Sequence, residues 1–99
     1  MPGQYNVVAY EALDITASAV ALTADSSNRL SFVGVLETGQ VRYRGDGTAP
    51  TASEGRLLQI GDRIILSRSE IVNTKFIRTG GTSGVLRGEF YDAAPSDLI

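Results

Sequence analysis

The sequence predicts an all-β fold, an antiparallel β-sandwich of about seven short strands with an immunoglobulin-like or jelly-roll-like arrangement. Short alternating runs, turn residues at regular intervals between them, and one strand that enters a stiff polar turn support this prediction. Val41 and Tyr43 fall on one face of that strand. Arg42 and Arg44 fall on the other face, which is the period of two of a half-buried strand. The glycine, aspartate and proline residues in 45–50 then predict a tight turn.

Extended runs are predicted along the whole chain, in residues 5–12, 19–22, 30–36, 40–44, 63–67, 73–78 and 85–91. The third run is apolar on both faces, so we expect a central strand that is covered on both sides. A turn at 37–39 predicts a hairpin between this run and 40–44. Residues 15–24 are also compatible with a helical turn, although their β-branched residues disfavour a stable helix.

The predicted core is small for an independent domain. Residues on the same face of successive strands should form it together. They are Leu30, Phe32, Leu36, Val41, Tyr43, Ile64, Leu66, Phe76, Leu86 and Phe90. Because 99 residues lie near the low end of what buries an adequate core unaided, we expect self-association into a homo-oligomer.

We divide the chain into a single β-sandwich domain over 1–92 and an extended C-terminal arm over 93–99. The tail has no periodicity, and Pro95 cannot lie inside a paired strand. Leu98 and Ile99 end this polar tail with two apolar side chains, which would gain by docking into a groove of a neighbouring subunit. A frayed terminus without a partner is the alternative.

The composition argues against catalysis and against several classes of partner. The chain has no cysteine and no histidine, so a disulfide framework, a thiolate metal site and the commonest general base are all absent. A net charge of −2 disfavours nucleic acid, because a phosphate-binding surface normally shows a basic excess. No stretch approaches membrane-spanning length, and the N-terminus has no basic region followed by an apolar run. We therefore expect a non-enzymatic protein with no cofactor, no metal, no nucleic acid and no membrane partner.

Three short motifs suggest chemistry, and each has a simpler structural interpretation. Arg44-Gly45-Asp46 spells the tripeptide that integrin-type receptors read, but the turn needs Gly and Asp for its own geometry. The loop 79–84 is similar to a phosphate cradle but lacks the following lysine and helix. Residues 46–48 have too few oxygen ligands for a calcium loop. The carboxylates of the chain are scattered, and no pair is marked as a general acid and base.

The basic residues are concentrated in the second part of the chain. The first forty residues hold only Arg29 against four acidic residues. The others are Arg42, Arg44, Arg56, Arg63, Arg68, Lys75, Arg78 and Arg87. Such an asymmetry would let one face of a copy meet the opposite face of its neighbour, and we select Arg42 and Arg44 as candidate partner contacts. A solvated basic face is the alternative.

Three ordered blocks stand out between residues 40 and 91, about half of the chain. They are Gln-Val-Arg-Tyr-Arg-Gly-Asp-Gly-Thr-Ala-Pro-Thr-Ala-Ser at 40–53, Ile-Gly-Asp-Arg-Ile-Ile-Leu at 60–66 and Phe-Ile-Arg-Thr-Gly-Gly-Thr-Ser-Gly at 76–84. Together they resemble a family of small virion proteins of tailed bacteriophages. The first block, a tyrosine strand that runs into an Asp-Gly-Thr-x-Pro-Thr turn, also resembles the chitobiase-type C-terminal β-sandwich, which supports the fold.

The resemblance implies a structural component of a phage particle. We expect a capsid cement or decoration protein that binds the major capsid protein and copies of itself, and that is assembled on the virion in the host bacterial cytoplasm. It would act by burying surface between neighbouring shell subunits. A tail, neck or baseplate accessory protein is one alternative. A carbohydrate-binding accessory domain is another, and it would need an exposed aromatic platform, for which Tyr5, Tyr10, Tyr43 and Tyr91 are the candidates.

Overall fold

Two antiparallel sheets face each other across an apolar core in the computed structural model, which describes residues 6–23 and 28–97. In chain order the elements are β1 (Val7–Ile15), β2 (Ser31–Thr38), β3 (Val41–Arg44), β4 (Arg56–Leu58), β5 (Arg63–Ser67), α1 (Arg68–Asn73), β6 (Lys75–Arg78), β7 (Gly84–Tyr91) and a 3-10 helix (Pro95–Asp97). The four-stranded sheet has the order β1-β7-β2-β5, and the three-stranded sheet has the order β4-β3-β6. The predicted antiparallel β-sandwich is confirmed.

The last strand, β7, lies between the first two strands of the chain. It pairs antiparallel with β1 along one edge and with β2 along the other. An immunoglobulin constant domain instead orders its strands A-B-E-D and C-F-G, so the connectivity here is different. The four-stranded sheet is therefore complete only when the C-terminal part of the chain has been added.

The predicted hairpin between 30–36 and 40–44 is wrong. The two strands lie in different sheets, because β5 and β7 already occupy the two edges of β2. The turn at 37–39 carries the chain across to the other layer, where β3 pairs with β4 and β6. A short sequence separation was therefore misleading about which strands are neighbours.

Three other segments differ from the predicted strands. Within 19–22 the chain makes a single antiparallel bridge, Val20 to Phe76, and is otherwise irregular. The helical alternative for 15–24 is wrong as far as Thr23, the last described residue of that segment. Arg56–Leu58, for which no strand is predicted, forms β4. The predicted first strand begins at Tyr5, which lies outside the described residues, and its observed counterpart continues to Ile15.

The segment between the predicted runs 63–67 and 73–78 forms the helix α1. It begins with a capping box, in which the Ser67 hydroxyl accepts a hydrogen bond from the Glu70 N–H (3.4 Å). The Glu70 carboxylate in turn accepts one from the Ser67 N–H (2.8 Å). The sequence signal for this helix start is the Ser-x-x-Glu spacing. Ile71 is fully buried and closes one end of the core.

Most of the predicted core is confirmed. The predicted members that are buried are Phe32, Leu36, Val41, Ile64, Leu66, Phe76, Leu86 and Phe90. Tyr43 is partly buried, and its ring packs on Phe76 with the ring centroids 5.7 Å apart. The assignment of Leu30 to the core is wrong: it is 38% exposed, because β2 begins only at Ser31. The core also contains residues that are not in the predicted set, namely Leu13, Ile15, Leu22, Leu58 and Ile71.

The outer face of β2 is open, whereas the sequence predicts a strand covered on both sides. Phe32 and Leu36 point into the core and are fully buried. Val33 on the opposite face is only partly buried, and Val35 is 39% exposed. The single chain therefore covers one of the two apolar faces of this strand.

The chain after β7 stays against the sandwich as far as it is described. The Asp92 carboxylate accepts a hydrogen bond from the Asn6 N–H (2.7 Å), and the Asp92 N–H donates to the Asn6 carbonyl oxygen (3.2 Å). Ala93 is buried, and Pro95–Asp97 forms the 3-10 helix in contact with β5. The extended conformation predicted for 93–99 thus does not hold at 95–97. Leu98 and Ile99 lie outside the described residues, so their docking stays a prediction.

Two facing glycines, Gly34 on β2 and Gly88 on β7, lie at the centre of the four-stranded sheet. The Phe32 ring lies over both: a Cβ at Gly34 would be 2.5 Å from Phe32 Cε2, and a Cβ at Gly88 would be 2.5 Å from Phe32 Cζ. Phe32 packs in turn on Phe90, with the ring centroids 4.9 Å apart. Because interiors are close-packed, a side chain at either glycine would displace a fully buried ring.

We expect Gly88→Ala to lower the free energy of unfolding by about 3 kcal/mol, because the added methyl group would meet both the Phe32 ring and the Val33 carbonyl oxygen. Urea denaturation measures this change. Gly80→Ala is the matched control, since no described heavy atom lies within 4 Å of its added Cβ. Similar unfolding midpoints for the two variants would contradict the packing described above.

Ser31 on β2 and Ser67 on β5 face each other but differ in hydrogen bonding. Ser67 caps α1. Ser31 is fully buried, and within the described part of the chain its Oγ has no hydrogen-bond partner. An unsatisfied buried hydroxyl weakens a fold, whereas a helix N-cap strengthens it.

Opposite effects are therefore expected from the same substitution at these paired positions. Ser31→Ala should raise the free energy of unfolding by about 1 kcal/mol, because it removes an unsatisfied polar group. Ser67→Ala should lower it by about 1 kcal/mol, because it removes the N-cap. Thermal and urea unfolding of both variants test this contrast, and a destabilised Ser31→Ala variant would show that the Ser31 hydroxyl has a partner in solution.

Candidate interaction surfaces

The two sheets differ in the charge of their strands. The strands of the three-stranded sheet carry five basic residues and no acidic residue: Arg42, Arg44, Arg56, Lys75 and Arg78. The strands of the four-stranded sheet carry four acidic residues, Glu11, Asp14, Glu37 and Glu89, and two basic residues, Arg63 and Arg87. Most of the basic residues in the second part of the chain are therefore gathered on one layer.

Arg42 holds the loop 45–55 against the outer face of the three-stranded sheet. Its Nε donates to the Ala52 carbonyl oxygen (3.2 Å), and its Nη1 donates to the Gly55 carbonyl oxygen (2.9 Å). Gly55 has a φ of 134°, and a Cβ there would lie 3.1 Å from Pro50, which is buried under the loop. Arg42 is thus half-buried and orders the loop. It therefore has a structural role in addition to its candidate role as a partner contact.

Arg44 and Asp46 form a two-point ion pair across the start of this loop. Arg44 Nε donates to Asp46 Oδ1 (3.2 Å), and Arg44 Nη2 donates to Asp46 Oδ2 (2.6 Å). The Thr48 N–H also donates to Asp46 Oδ1 (3.1 Å). An integrin-type receptor reads a cation and an anion that are held apart, whereas here the two charges of Arg44-Gly45-Asp46 are joined. The geometry supports the structural interpretation of the tripeptide.

The same contacts shift the ionisation of both side chains. The hydrogen bond from Arg44, followed by that from the Thr48 N–H, lowers the pKa of Asp46 below its ordinary range. The hydrogen bond to Asp46 raises the pKa of Arg44 further above its ordinary value. Both groups are therefore charged at neutral pH, and their pair contributes little net charge to the surface.

An open cleft of about 360 Å³ lies beside this ion pair. It is lined by Arg44, Gly45, Asp46, Glu54, Gly55 and Arg56. The Arg56 guanidinium lies 5.3 Å from the Tyr43 ring centroid, a cation–π distance. Among the described residues, no carboxylate ion pair is found for Arg42, Arg56 or Lys75, the other basic residues near the cleft and the loop. Arg42 is already bonded to loop carbonyl oxygens, which leaves Arg56 and Lys75.

The outer face of the four-stranded sheet is a second candidate surface. The strand register places its side chains in two adjacent rows that run across the strands. The first row is Tyr10, Glu89, Val33 and Ile65, and the second row is Ala12, Arg87, Val35 and Arg63. Tyr10 is 59% exposed and Val35 is 39% exposed. An outward sheet face is ordinarily polar, so this apolar content is unusual for a surface in contact with water alone.

Hydrogen bonds organise the polar side chains of this face. Arg87 Nε donates to Glu37 Oε1 (2.7 Å), and Arg87 Nη1 donates to the Tyr10 hydroxyl (3.0 Å). The bond to Tyr10, followed by that to Glu37, raises the pKa of Arg87. The Tyr91 hydroxyl donates to Glu89 Oε1 (3.3 Å). Arg87 is thus held in a fixed orientation near the centre of the face.

The structure places the four predicted contact residues unequally. Arg42 and Arg44 lie on the outer side of β3, next to each other along one edge of the loop. Leu98 and Ile99 lie outside the described residues. The two rows of the four-stranded sheet were not predicted as a surface, because they depend on the pairing of β7 with both β1 and β2. The signal available in the sequence was the doubly apolar β2.

Comparisons with known proteins identify no relative: no family model, no curated protein and no solved structure matches this chain. Within residues 6–23 and 28–97, no helix is long and apolar enough to cross a membrane. The same described residues contain no group of three or more histidine, cysteine or acidic side chains placed to hold a metal ion.

The Asp46 carboxyl should titrate below the ordinary range of an aspartate, because its charged form is stabilised by Arg44. The stabilisation that it gives to the loop is then present above the ordinary aspartate pKa and is lost as the pH falls through the lowered pKa. An NMR titration of the carboxyl carbon measures this value. Arg44→Gln should raise the Asp46 pKa, whereas Arg56→Gln, in the same cleft, should leave it unchanged. An unchanged value in both variants would mean that the ion pair does not form in solution.

Proposed function

We propose that this protein is a structural component of a tailed-bacteriophage particle, a cement or decoration protein that joins subunits of the head shell. The observation that carries the proposal is that the two layers of the sandwich present chemically different outer faces. The charged strand residues on one outer face are Arg42, Arg44 and Lys75, all of them basic. The other outer face combines apolar residues with charges of both signs. A small protein with two dissimilar faces is suited to joining neighbours. The phage setting itself is supported by the sequence resemblance of residues 40–91.

The basic three-stranded sheet is the proposed shell-facing side. Its partner would be an acidic surface of the major capsid protein, since complementary charge directs association and orientation. Lys75 supplies charge on the outer face of this sheet, and Arg56, which is exposed on the edge strand β4, supplies charge at the cleft beside it. Arg42 and Arg44 order the neighbouring loop. Leu98 and Ile99 remain candidate apolar contacts at the end of the chain. Binding to the assembled shell in preference to its free subunits would stabilise the shell by mass action.

Two alternatives share parts of this support. A tail, neck or baseplate accessory protein would use the same faces, and its copy number would match a ring at the neck or tail instead of the shell subunits. A carbohydrate-binding accessory domain needs an aromatic platform. Of the candidates, Tyr10 is well exposed, whereas Tyr43 is partly buried against the core and Tyr91 is half-buried. Tyr5 lies outside the described residues. One exposed ring supports this alternative less well than the two faces support a cement protein.

Shells prepared without this protein provide the test of the proposal. The wild-type chain should bind them saturably, with a copy number that follows the shell subunits, and should raise the temperature at which they rupture. A double variant, Arg56→Glu with Lys75→Glu, should bind about tenfold or more weakly, because it reverses two charges of the proposed contact. Wild-type binding should also weaken as salt is raised.

Arg68→Glu is a control for charge reversal at another site: it reverses one charge on α1, which packs against β5 and β2 of the four-stranded sheet. It should bind the shells as the wild type does. The proposal would be overturned if the wild-type chain failed to bind shells and was absent from purified particles. Equal loss of binding in the control and in the double variant would reject the basic sheet as the contact.

A further inference from the structure

We infer that the outer face of the four-stranded sheet is the interface of a symmetric homodimer. The two-fold axis of this dimer would run across the strands, between the row that contains Glu89 and the row that contains Arg87. The inference deepens the proposed function, on which it rests for its role on the particle. It concerns a different face from the proposed shell contact, so the two can fail separately.

The first argument is that this face is apolar yet open. Val33 and Val35 project from β2, Ile65 from β5 and Val85 from β7, and all of them lie on the side away from the core. Tyr10 adds a ring that is 59% exposed. Apolar surface of this kind gains free energy when it is removed from water. Since β2 is apolar on both faces and the single chain covers only one, a second layer would complete its burial.

The second argument is the symmetry of the strand register. Glu11, Gly88, Gly34 and Ile64 form a straight row across β1, β7, β2 and β5. The two outward rows flank this row on either side, one residue before and one residue after it in each strand. A two-fold axis along this row therefore exchanges the outward rows. It places each strand over its own copy, which is the self-complementary arrangement of a two-fold interface.

This operation brings opposite charges together. Arg87 of each copy comes to lie over Glu89 of the other, so that two equivalent ion pairs form across the axis. Two like rows would instead have been placed face to face by an axis parallel to the strands. Sheets that pack face to face lie about 10 Å apart, which is a gap that an arginine and a glutamate can span together.

The same operation also matches the shapes and the apolar residues. Val33 of one copy meets Val35 of the other, near the centre of the contact. Tyr10, a large side chain that is 59% exposed, meets Ala12, the smallest residue of the two rows. A large side chain opposite a small one allows close packing between layers. Ile65 meets the aliphatic stem of Arg63.

The charged groups are available for this contact. The bonds of Arg87 to Glu37 and Tyr10 use two of the five N–H donors of its guanidinium, and they hold it in place before association. Glu89 receives the Tyr91 hydroxyl on Oε1, and its second oxygen can accept another donor. The ion pair across the axis therefore adds to the existing hydrogen bonds without breaking them.

The size of the face fits a dimer interface. Four strands about 4.8 Å apart, each rising about 3.3 Å per residue over up to eight residues, span a plane of roughly 500 Å². The projecting side chains raise the accessible area above this value. Counted on both copies, this plane amounts to about 1,000 Å², which is the lower limit for a specific protein–protein interface. A second copy is the occupant that the reciprocal Arg87 and Glu89 positions favour over an unrelated partner.

Charge reversal on the isolated protein tests this inference. The wild-type chain should form a dimer by sedimentation velocity as its concentration is raised. Arg87→Glu and Glu89→Arg should each be monomeric, because each one places like charges opposite each other across the axis. Mixed in equal amounts, the two variants should form a heterodimer, because every facing pair then has opposite charges. Native mass spectrometry separates this heterodimer from either homodimer by mass.

Two further variants distinguish a loss of dimerisation from a folding defect. Val35→Lys places a charge at the centre of the contact while Arg87 and Glu89 themselves stay unchanged. It should also be monomeric, and folded by circular dichroism. Arg68→Glu, on α1, should remain dimeric. A wild type that is monomeric at high micromolar concentration, or a folded pair of charge variants that fails to associate when mixed, would overturn the inference. Because this experiment uses no shells, its failure would leave shell binding by the basic sheet intact, and a failure of shell binding would leave the dimer intact.

Discussion

The register of β7 between β1 and β2 is the constraint on which the rest of the structure depends. Gly34 and Gly88 face each other at its centre, and the Phe32 ring occupies the space that two side chains would have taken. A shift of one residue would turn the core side chains of a strand outward and would remove this fit. The same register sets the opposite face, where it places Arg87 and Glu89 on either side of Gly88. Core packing and the proposed dimer contact are therefore two consequences of one alignment.

Local hydrogen bonds engage some of the basic side chains that the sequence suggests as partner contacts. The strands of the three-stranded sheet carry no acidic residue, yet Asp46 and Glu54 return to the same region on the loop 45–55. Arg44 is paired with Asp46, and Arg42 is bonded to loop carbonyl oxygens. Charge that looks available in the sequence is thus partly used to order the loop. What remains for a partner is carried by Arg56 and Lys75, which come from different strands.

The two proposed contacts divide the molecule by layer. The three-stranded sheet would meet an acidic shell surface by charge complementarity, which depends strongly on salt. The four-stranded sheet would meet its own copy largely through apolar burial, with ion pairs that specify the orientation. A dimer joined in this way would expose a basic sheet on each of its two outer sides. Such a symmetric dimer would connect two acidic surfaces of the particle.

The sequence alone determined the fold class, most of the core and the polar turn after Arg44, because alternation, turn residues and apolar spacing are local properties of the chain. It could not determine which strands are neighbours. The hairpin through 37–39 was a reasonable local expectation, but pairing of β2 with β5 and β7 depends on contacts between segments that are distant in the chain. The same reason explains why Arg42 and Arg44 could be proposed as partner contacts from the sequence alone, whereas the Arg87 and Glu89 face could not. The position of each side chain on that face depends on tertiary pairing, which only the assembled sheets decide.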